Sequence, residues 1–332
     1  SVTHQTMRNQ SLNSFRAFLH RGLACIGVIM LVVLGGCGMQ QEQLKVTDPE
    51  TAVLPEQLRV TDLETAFPPE TIIDTATGQP ISMEQLIQAM AHVQIVYVGE
   101  SHTDARHHAI QRDVIEAMQT SWPDIIVGME MFSFTYQDVL DQWSAGGLDE
   151  QRFLELTHWY YNWGFNFALY RPILTSVKNH GLNLIGLNLP RGLSSKISTG
   201  GIASLQPDDA RHLPEQIDLT NTDHRAYVRE VHEEHRQRIR GRDNFDYFHE
   251  AQCVWEDTMA ETIARNLDDR KMVVVIGNGH IIRKYGVPDR AFARTDAAFR
   301  TIYLAPAGQD VQSHIADYIW VTPSPGKMPR RM

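Results

Sequence analysis

IVYVGESHTDARHH, residues 95–108, opens as an aliphatic β-type run and turns within a few residues into a cluster of carboxylates and imidazoles. MVVVIGNGHIIRKYGVP, residues 272–288, repeats the design, so that Gly99-Glu100-Ser101-His102 and Gly277-Asn278-Gly279-His280 each follow an apolar run. Short aliphatic runs closed by glycine and polar residues read as strands buried on both faces. DIIVGMEMF (124–132), LNLIGLNLP (182–190), TIYLA near 303 and YIWVT near 319 share the pattern. Helical spacing fills the intervals, in HHAIQRDVIEAMQTSW, YQDVLDQWSA and LDEQRFLELTHWYY. The alternation predicts an α/β fold with a mainly parallel central sheet covered by helices on both faces. The charged interval 205–268 reads as a helical lobe inserted before the last core strands.

In an open α/β sheet, ligands bind beyond the carboxyl ends of the strands. That rule gathers Glu100 and His102, Glu130, Asn188 and Arg191, and Asn278 and His280 at one rim. Glycines at 99, 128, 277 and 279 allow sharp turns and close approach there. One Gly-x-x-His carries little information, but two matched strand ends plus a third carboxylate are hard to explain by packing alone. Two histidines and two carboxylates form a credible set for zinc, manganese or iron. On that reading His102, His280, Glu100 and Glu130 hold a divalent metal ion, and Glu100 or Glu130 serves as catalytic base of a metal-dependent hydrolase. His232-Glu233-Glu234-His235 fails as a zinc-protease motif because its histidines stand three residues apart instead of four, and it reads as surface helix.

The chain has 332 residues and a net charge of -10, which argues against nucleic acid as a partner. Arg16 and Arg21 precede GLACIGVIMLVVL, the size of a signal-peptide core and short for a bilayer span. It ends in Leu34-Gly35-Gly36-Cys37, which resembles a lipoprotein processing site. Residues 1–36 are thus expected to be a signal peptide, with Cys37 acylated and seated in a lipid bilayer. Of the other cysteines, Cys25 would leave with the signal, and Cys253 reads as a buried inert thiol on a helix. No Cys-x-x-Cys-His occurs, so c-type haem attachment is excluded. Residues 37–71, with Pro49, Pro55, Pro68 and Pro69, read as a flexible tether, 72–322 as the folded domain, and 323–332 as a flexible tail.

VYVGESHTDARHHAIQ, WYYNWGFNFALYRPIL, LIGLNLPR, FHEAQCVWEDTMAETIA and GNGHIIRKYGVP together resemble the ChaN-type haem-binding lipoproteins. Their superfamily also contains the Tiki proteases and erythromycin esterases. The resemblance, over roughly residues 72–305, implies non-covalent haem binding in bacterial iron and haem acquisition. It further implies tyrosine ligation and haems stacked across a homodimer. Gly38, standing where an aspartate would retain a lipoprotein at the inner membrane, leads to the expectation of an outer-membrane lipoprotein on the periplasmic face with an outer-membrane haem receptor as partner. Tyr227, Tyr247 and Tyr285 are the candidate ligands, Tyr227 first, because Arg225 and Arg229 beside it could pair with haem propionates. Glu230, Glu233 and Glu234 interleave with those arginines, so the same stretch reads equally as a solvated helix. Aromatics from Trp159 to Tyr170 read mostly as core, with Trp163 and Tyr170 the candidates for a porphyrin wall. The hydrolase suggested by the protease and esterase relatives stands as the alternative.

Overall fold

Each long aliphatic run is a strand in the computed structural model, which describes residues 58–59, 67–235 and 244–324. The strands are β1 (Ile72–Asp74), β2 (Gln79–Ile81), β3 (Ile95–Val98), β4 (Ile126–Ser133), β5 (Asn183–Asn188), β6 (Met272–Val275), β7 (Phe299–Pro306) and β8 (Tyr318–Thr322). They form one sheet in the order β2-β1-β8-β7-β3-β6-β4-β5. From β8 to β5 every neighbouring pair is parallel. The β1–β2 hairpin adds an antiparallel edge. Sequence reading missed it, because three-residue strands carry no apolar period and Pro80 fits only an edge strand.

The helices that position the site are α1 (Ala105–Ser121), α2 (Phe167–His180), α3 (Leu193–Gly200), α4 (Thr222–His235), α5 (Phe245–Asn266) and α6 (Val287–Thr295). Alternate residues of each central strand point to opposite faces. Val96, Val98, Val127, Val273 and Val275 pack against α1 and α2 through Ile110, Val114, Met118, Ile173 and Val177. Ile95, Tyr97, Ile126, Met272 and Val274 meet Met259, Ala260 and Ile263 of α5 and Val287 and Ala291 of α6. The interval 205–268 is therefore not wholly a lobe, since α5 covers one face of the sheet. Asp104 caps α1 by accepting from Arg106 N–H at 2.9 Å, which sets His107 and His108 inward on its first turn.

The expected helix across 148–161 is broken. His158 takes left-handed dihedrals (φ 48°, ψ 44°), separating Glu150–Thr157 from the short turn Trp159–Asn162. Within the stretch read as tether, Leu58–Arg59 pair with Asp310–Val311, and Glu70 N–H donates to Val321 O at 2.7 Å. The signal segment, Cys37, most of the spacer, and Arg236, Arg238 and Arg240 lie outside the described residues. All described residues belong to the unit Pro49–Met332. Among them, no helix is long and apolar enough to cross a membrane.

Candidate functional site

Glu100 leaves the end of β3 into an apolar interior, 2% exposed. Its Oε1 accepts from Tyr170 O–H of α2 at 2.8 Å and lies 2.7 Å from His102 Nδ1, while Oε2 lies 3.0 Å from His108 Nδ1. Burial alone would raise this carboxyl, but the hydrogen bonds from His102 and His108 prevail and hold it at about 2. Glu100 is a buried anchor that orients His102. The His102 ring, one-third exposed, sits against Trp163 and Phe165, with ring centres at 4.9 and 5.2 Å.

Glu130 on β4 is fully buried and accepts Gly277 N–H at 2.7 Å. Its other oxygen lies 3.4 Å from His280 Nε2, outside good hydrogen-bonding alignment. His280 Nδ1 is 3.1 Å from Glu256 Oε1 on α5, and Glu256 Oε2 is 2.7 Å from His224 Nε2 on α4. A Cβ on Gly277 would stand 2.9 Å from His102 Cε1 and 3.3 Å from Glu130 Oε2. His102, Glu130 and the His280 turn thus meet at one point, and the first-named strand ends converge. Burial would lower both imidazoles, yet the bond to Glu100 and the charge of Glu130 raise His102, and Glu130 with Glu256 raises His280 to about 10.

These four residues are together, and most of their polar atoms are engaged by one another or by His108, Tyr170 and Glu256, while Glu130 Oε1 has no hydrogen-bond partner among the described residues. Glu100 is shared by two histidines and a tyrosine, and His280 is clamped between two carboxylates. Among the described residues, the group of three whose ligand atoms all lie within 4.8 Å of one another is His224, His249 and Cys253, not the strand-end quartet. The sequence reading also missed Glu256, Asp257, His224 and Arg290, all buried. Adjacent acids in CVWEDTMA, an otherwise apolar helix face, were the available signal.

Packing around the His280 turn yields a first prediction. A Cβ on Gly286 would stand 2.4 Å from His280 O and 2.9 Å from Glu256 Oε1. Since the first obstacle is backbone, Gly286→Ala should lower stability by about 1–3 kcal/mol, read by denaturant unfolding. Wild-type stability in that variant would contradict the packing.

A cleft of about 290 Å³ opens beside His102, lined by Trp163, Phe165, Asn188, Arg191 and Trp255. Asn188 donates to Glu130 O at 2.8 Å. Tyr227 reaches the same rim, its O–H donating to Gly279 O at 3.3 Å, and burial, then the Glu256 charge, push that hydroxyl well above the ordinary phenol range. The Tyr247 ring packs over Gly201, and Tyr285 is half-buried beyond the left-handed pair Arg283 and Lys284. Arg225 donates to His249 Nδ1 at 3.1 Å and pairs with Asp246, while Arg229 lies 3.8 Å above the Phe245 ring. Neither arginine lines the cleft. His232 is buried against Phe245 and Phe248, a correction to the surface-helix expectation at that residue, while Glu233 and Glu234 are exposed, because this polar run turns one side toward α5.

Trp159 and Phe167 are core, as expected, and Tyr170, a candidate for the porphyrin wall, is core as well, with its hydroxyl turned inward to Glu100. Tyr160 and Tyr161 are not: they are 61% and 68% exposed, and the break at His158 turns them outward. They border a groove of about 700 Å³ with Leu154, His158 and Trp159. The Arg191 guanidinium stands 4.1 Å over the Tyr161 ring.

A family model described as "Haem-binding uptake, Tiki superfamily, ChaN" matches residues 86–291. The chain belongs to the ChaN family. A solved structure described as cofacial heme binding to ChaN of Campylobacter jejuni matches at TM-score 0.62 and 20% identity, over 75% of this chain and 95% of that one. It shows the same fold. An erythromycin esterase mutant in its open conformation matches at TM-score 0.47 and 12% identity, over 79% and 98%. The type III effector HopBA1 matches at 0.42 and 12%, over 76% and 94%. No curated protein matches. For a ChaN-family chain the haem must fit residues actually present. The cleft beside His102, about 290 Å³, is at the floor of the roughly 300–1,000 Å³ typical of ligand pockets, and the groove beside Tyr160 and Tyr161 measures about 700 Å³.

Proposed function

We propose that this ChaN-family protein binds haem non-covalently in bacterial iron and haem acquisition, and that the haem lies on the shelf formed by Tyr160 and Tyr161. The observation that carries this is the outward pair of tyrosines over an apolar groove, in a domain whose other large aromatics are mostly buried. Ferric haem takes a phenolate oxygen as a hard anionic ligand and leaves its other face open. Tyr160 or Tyr161 supplies that oxygen, Leu154 supplies apolar surface beside it, and Arg191 offers two N–H groups to a propionate. A shallow groove covers one face of a flat ligand, which favours a second copy of the chain on the other. Acylation at Cys37 would keep the domain at the periplasmic face of the outer membrane, near a haem receptor.

Tyr227, Tyr247 and Tyr285 are the competing ligands. Tyr227 carries a hydroxyl that burial keeps neutral, so it serves better as a hydrogen-bond donor to the Gly279 carbonyl than as a phenolate. Titrating hemin into the purified domain should raise a Soret band. Replacing an outer-shell partner of a metal already costs about tenfold or more in affinity, so Tyr160→Phe or Tyr161→Phe, whichever removes the ligand, should cost at least that. Tyr227→Phe and Tyr247→Phe should keep the band. A band lost only in those two would move the haem to the strand-end rim, and no band at micromolar hemin would end the haem reading. Fractionation of cells carrying Cys37→Ser, with the domain released from membranes, checks the anchor.

A further inference from the structure

Away from the strand ends, α4 and α5 enclose three metal-type side chains that neither the haem shelf nor the cleft uses. His249 and Cys253 stand four residues apart on one face of α5, and His224 faces them from the first turn of α4. Cys253 Sγ is 3.4 Å from His249 Nε2 and 3.8 Å from His224 Nδ1, and all three residues are buried. With all three atoms within 4.8 Å of one another, a point between them lies roughly 2.0–2.4 Å from each, the length of metal–nitrogen and metal–sulfur bonds.

We propose that His224, His249 and Cys253 form a three-coordinate site for a soft transition-metal cation, of the copper(I) class, separate from haem. Thiolate with two imidazoles selects copper or zinc over hard cations, and among the described residues no fourth side chain joins the trio to complete a zinc tetrahedron. His224 has the outer partner that metal-bound imidazoles have, a carboxylate on its far nitrogen: Glu256 Oε2 lies 2.7 Å from Nε2, directing Nδ1 inward. On coordination the Cys253 S–H proton leaves to solvent and a sulfur–metal bond replaces it, with no change of oxidation state.

Two arginines border the trio and shape the expectation. Arg290 holds an N–H 3.3 Å from Cys253 Sγ and 3.3 Å from His224 Nδ1, and it is itself paired with Asp257. It can donate to a thiolate, and its charge is balanced from behind. Arg225 donates to His249 Nδ1 at 3.1 Å, which places the ring proton on Nε2 in the metal-free protein. Coordination through Nε2 moves that proton to Nδ1 and leaves Arg225 with Asp246 alone.

The test is anaerobic titration of the full domain with copper(I) against a chromophoric chelator. One equivalent per chain should be withdrawn, equally with and without bound hemin, and lost in Cys253→Ser and His249→Gln. Arg225→Met should tighten binding about tenfold, since one charged hydrogen bond no longer has to break; a merely structural arginine would not do this. If the wild-type protein withdraws no metal, Arg290 is already the cation of the trio and the proposal falls, whether or not the variants fold. Binding retained in Cys253→Ser would overturn it as well.

Discussion

Arg290→Met should cost about 3–5 kcal/mol of stability, the usual result of leaving buried charge uncompensated. The Arg290 guanidinium is 5% exposed and pairs with Asp257 and, at 3.6 Å, with Glu256, both fully buried. It also donates to Asp218 O at 3.0 Å, tying the loop before α4 to α6. Methionine fills similar volume, so the loss measures charge and hydrogen bonding and not a cavity. Burial already outweighs the arginines at Asp257, whose carboxyl is raised above its ordinary value. Pairing Arg290→Met with Asp257→Asn should therefore recover part of the loss. Denaturant midpoints for the two single variants and the double variant test this; a loss under about 1 kcal/mol in Arg290→Met would show that the cluster is not charged as drawn.

Stability should fall as pH rises from about 6.5 to 8.5, with His280 supplying most of the slope. Burial opposes its charged form, but Glu130 and Glu256 win and raise it to about 10. A raised histidine contributes fully below its unfolded pKa of about 6.5 and loses that contribution as pH climbs through the folded value. The maximum slope for one proton is about 1.4 kcal/mol per pH unit, so two units remove up to about 2.7 kcal/mol. His102 is raised too, but it is one-third exposed and adds less. His249, lowered to about 4 by burial, acts only below about 6.5. Glu100, held at about 2, gives stability present above about 4.5 and lost in acid. The buried Cys253 thiol, pushed up to about 12, enters only above about 8.5. Thermal midpoints from pH 6.5 to 8.5 should fall in the wild type and flatten in His280→Gln. An equal slope in both would remove His280 from the account.

Period and punctuation exposed the sheet. Six aliphatic runs became its six parallel strands, because a strand covered on both faces must be apolar along its whole length, and nothing but burial demands that. The ends of those runs place Glu100, His102, Glu130 and His280 at one rim. The β1–β2 edge escaped because its strands are too short to carry a period. So did the direction of Tyr160 and Tyr161, since one left-handed residue at His158 rotates a turn that looks continuous in sequence.

What the chain by itself determined is the α/β architecture, its ChaN resemblance and the polar residues delivered to the strand ends, all of them consequences of local apolar pattern. Only the tertiary structure decided which partners those residues have. Glu256 lies far from both His224 and His280 along the chain, yet its carboxylate touches both imidazoles. Contacts of that kind arise where α4, α5 and the β6 turn pack together, and side chains from three elements leave no periodic trace in any one of them.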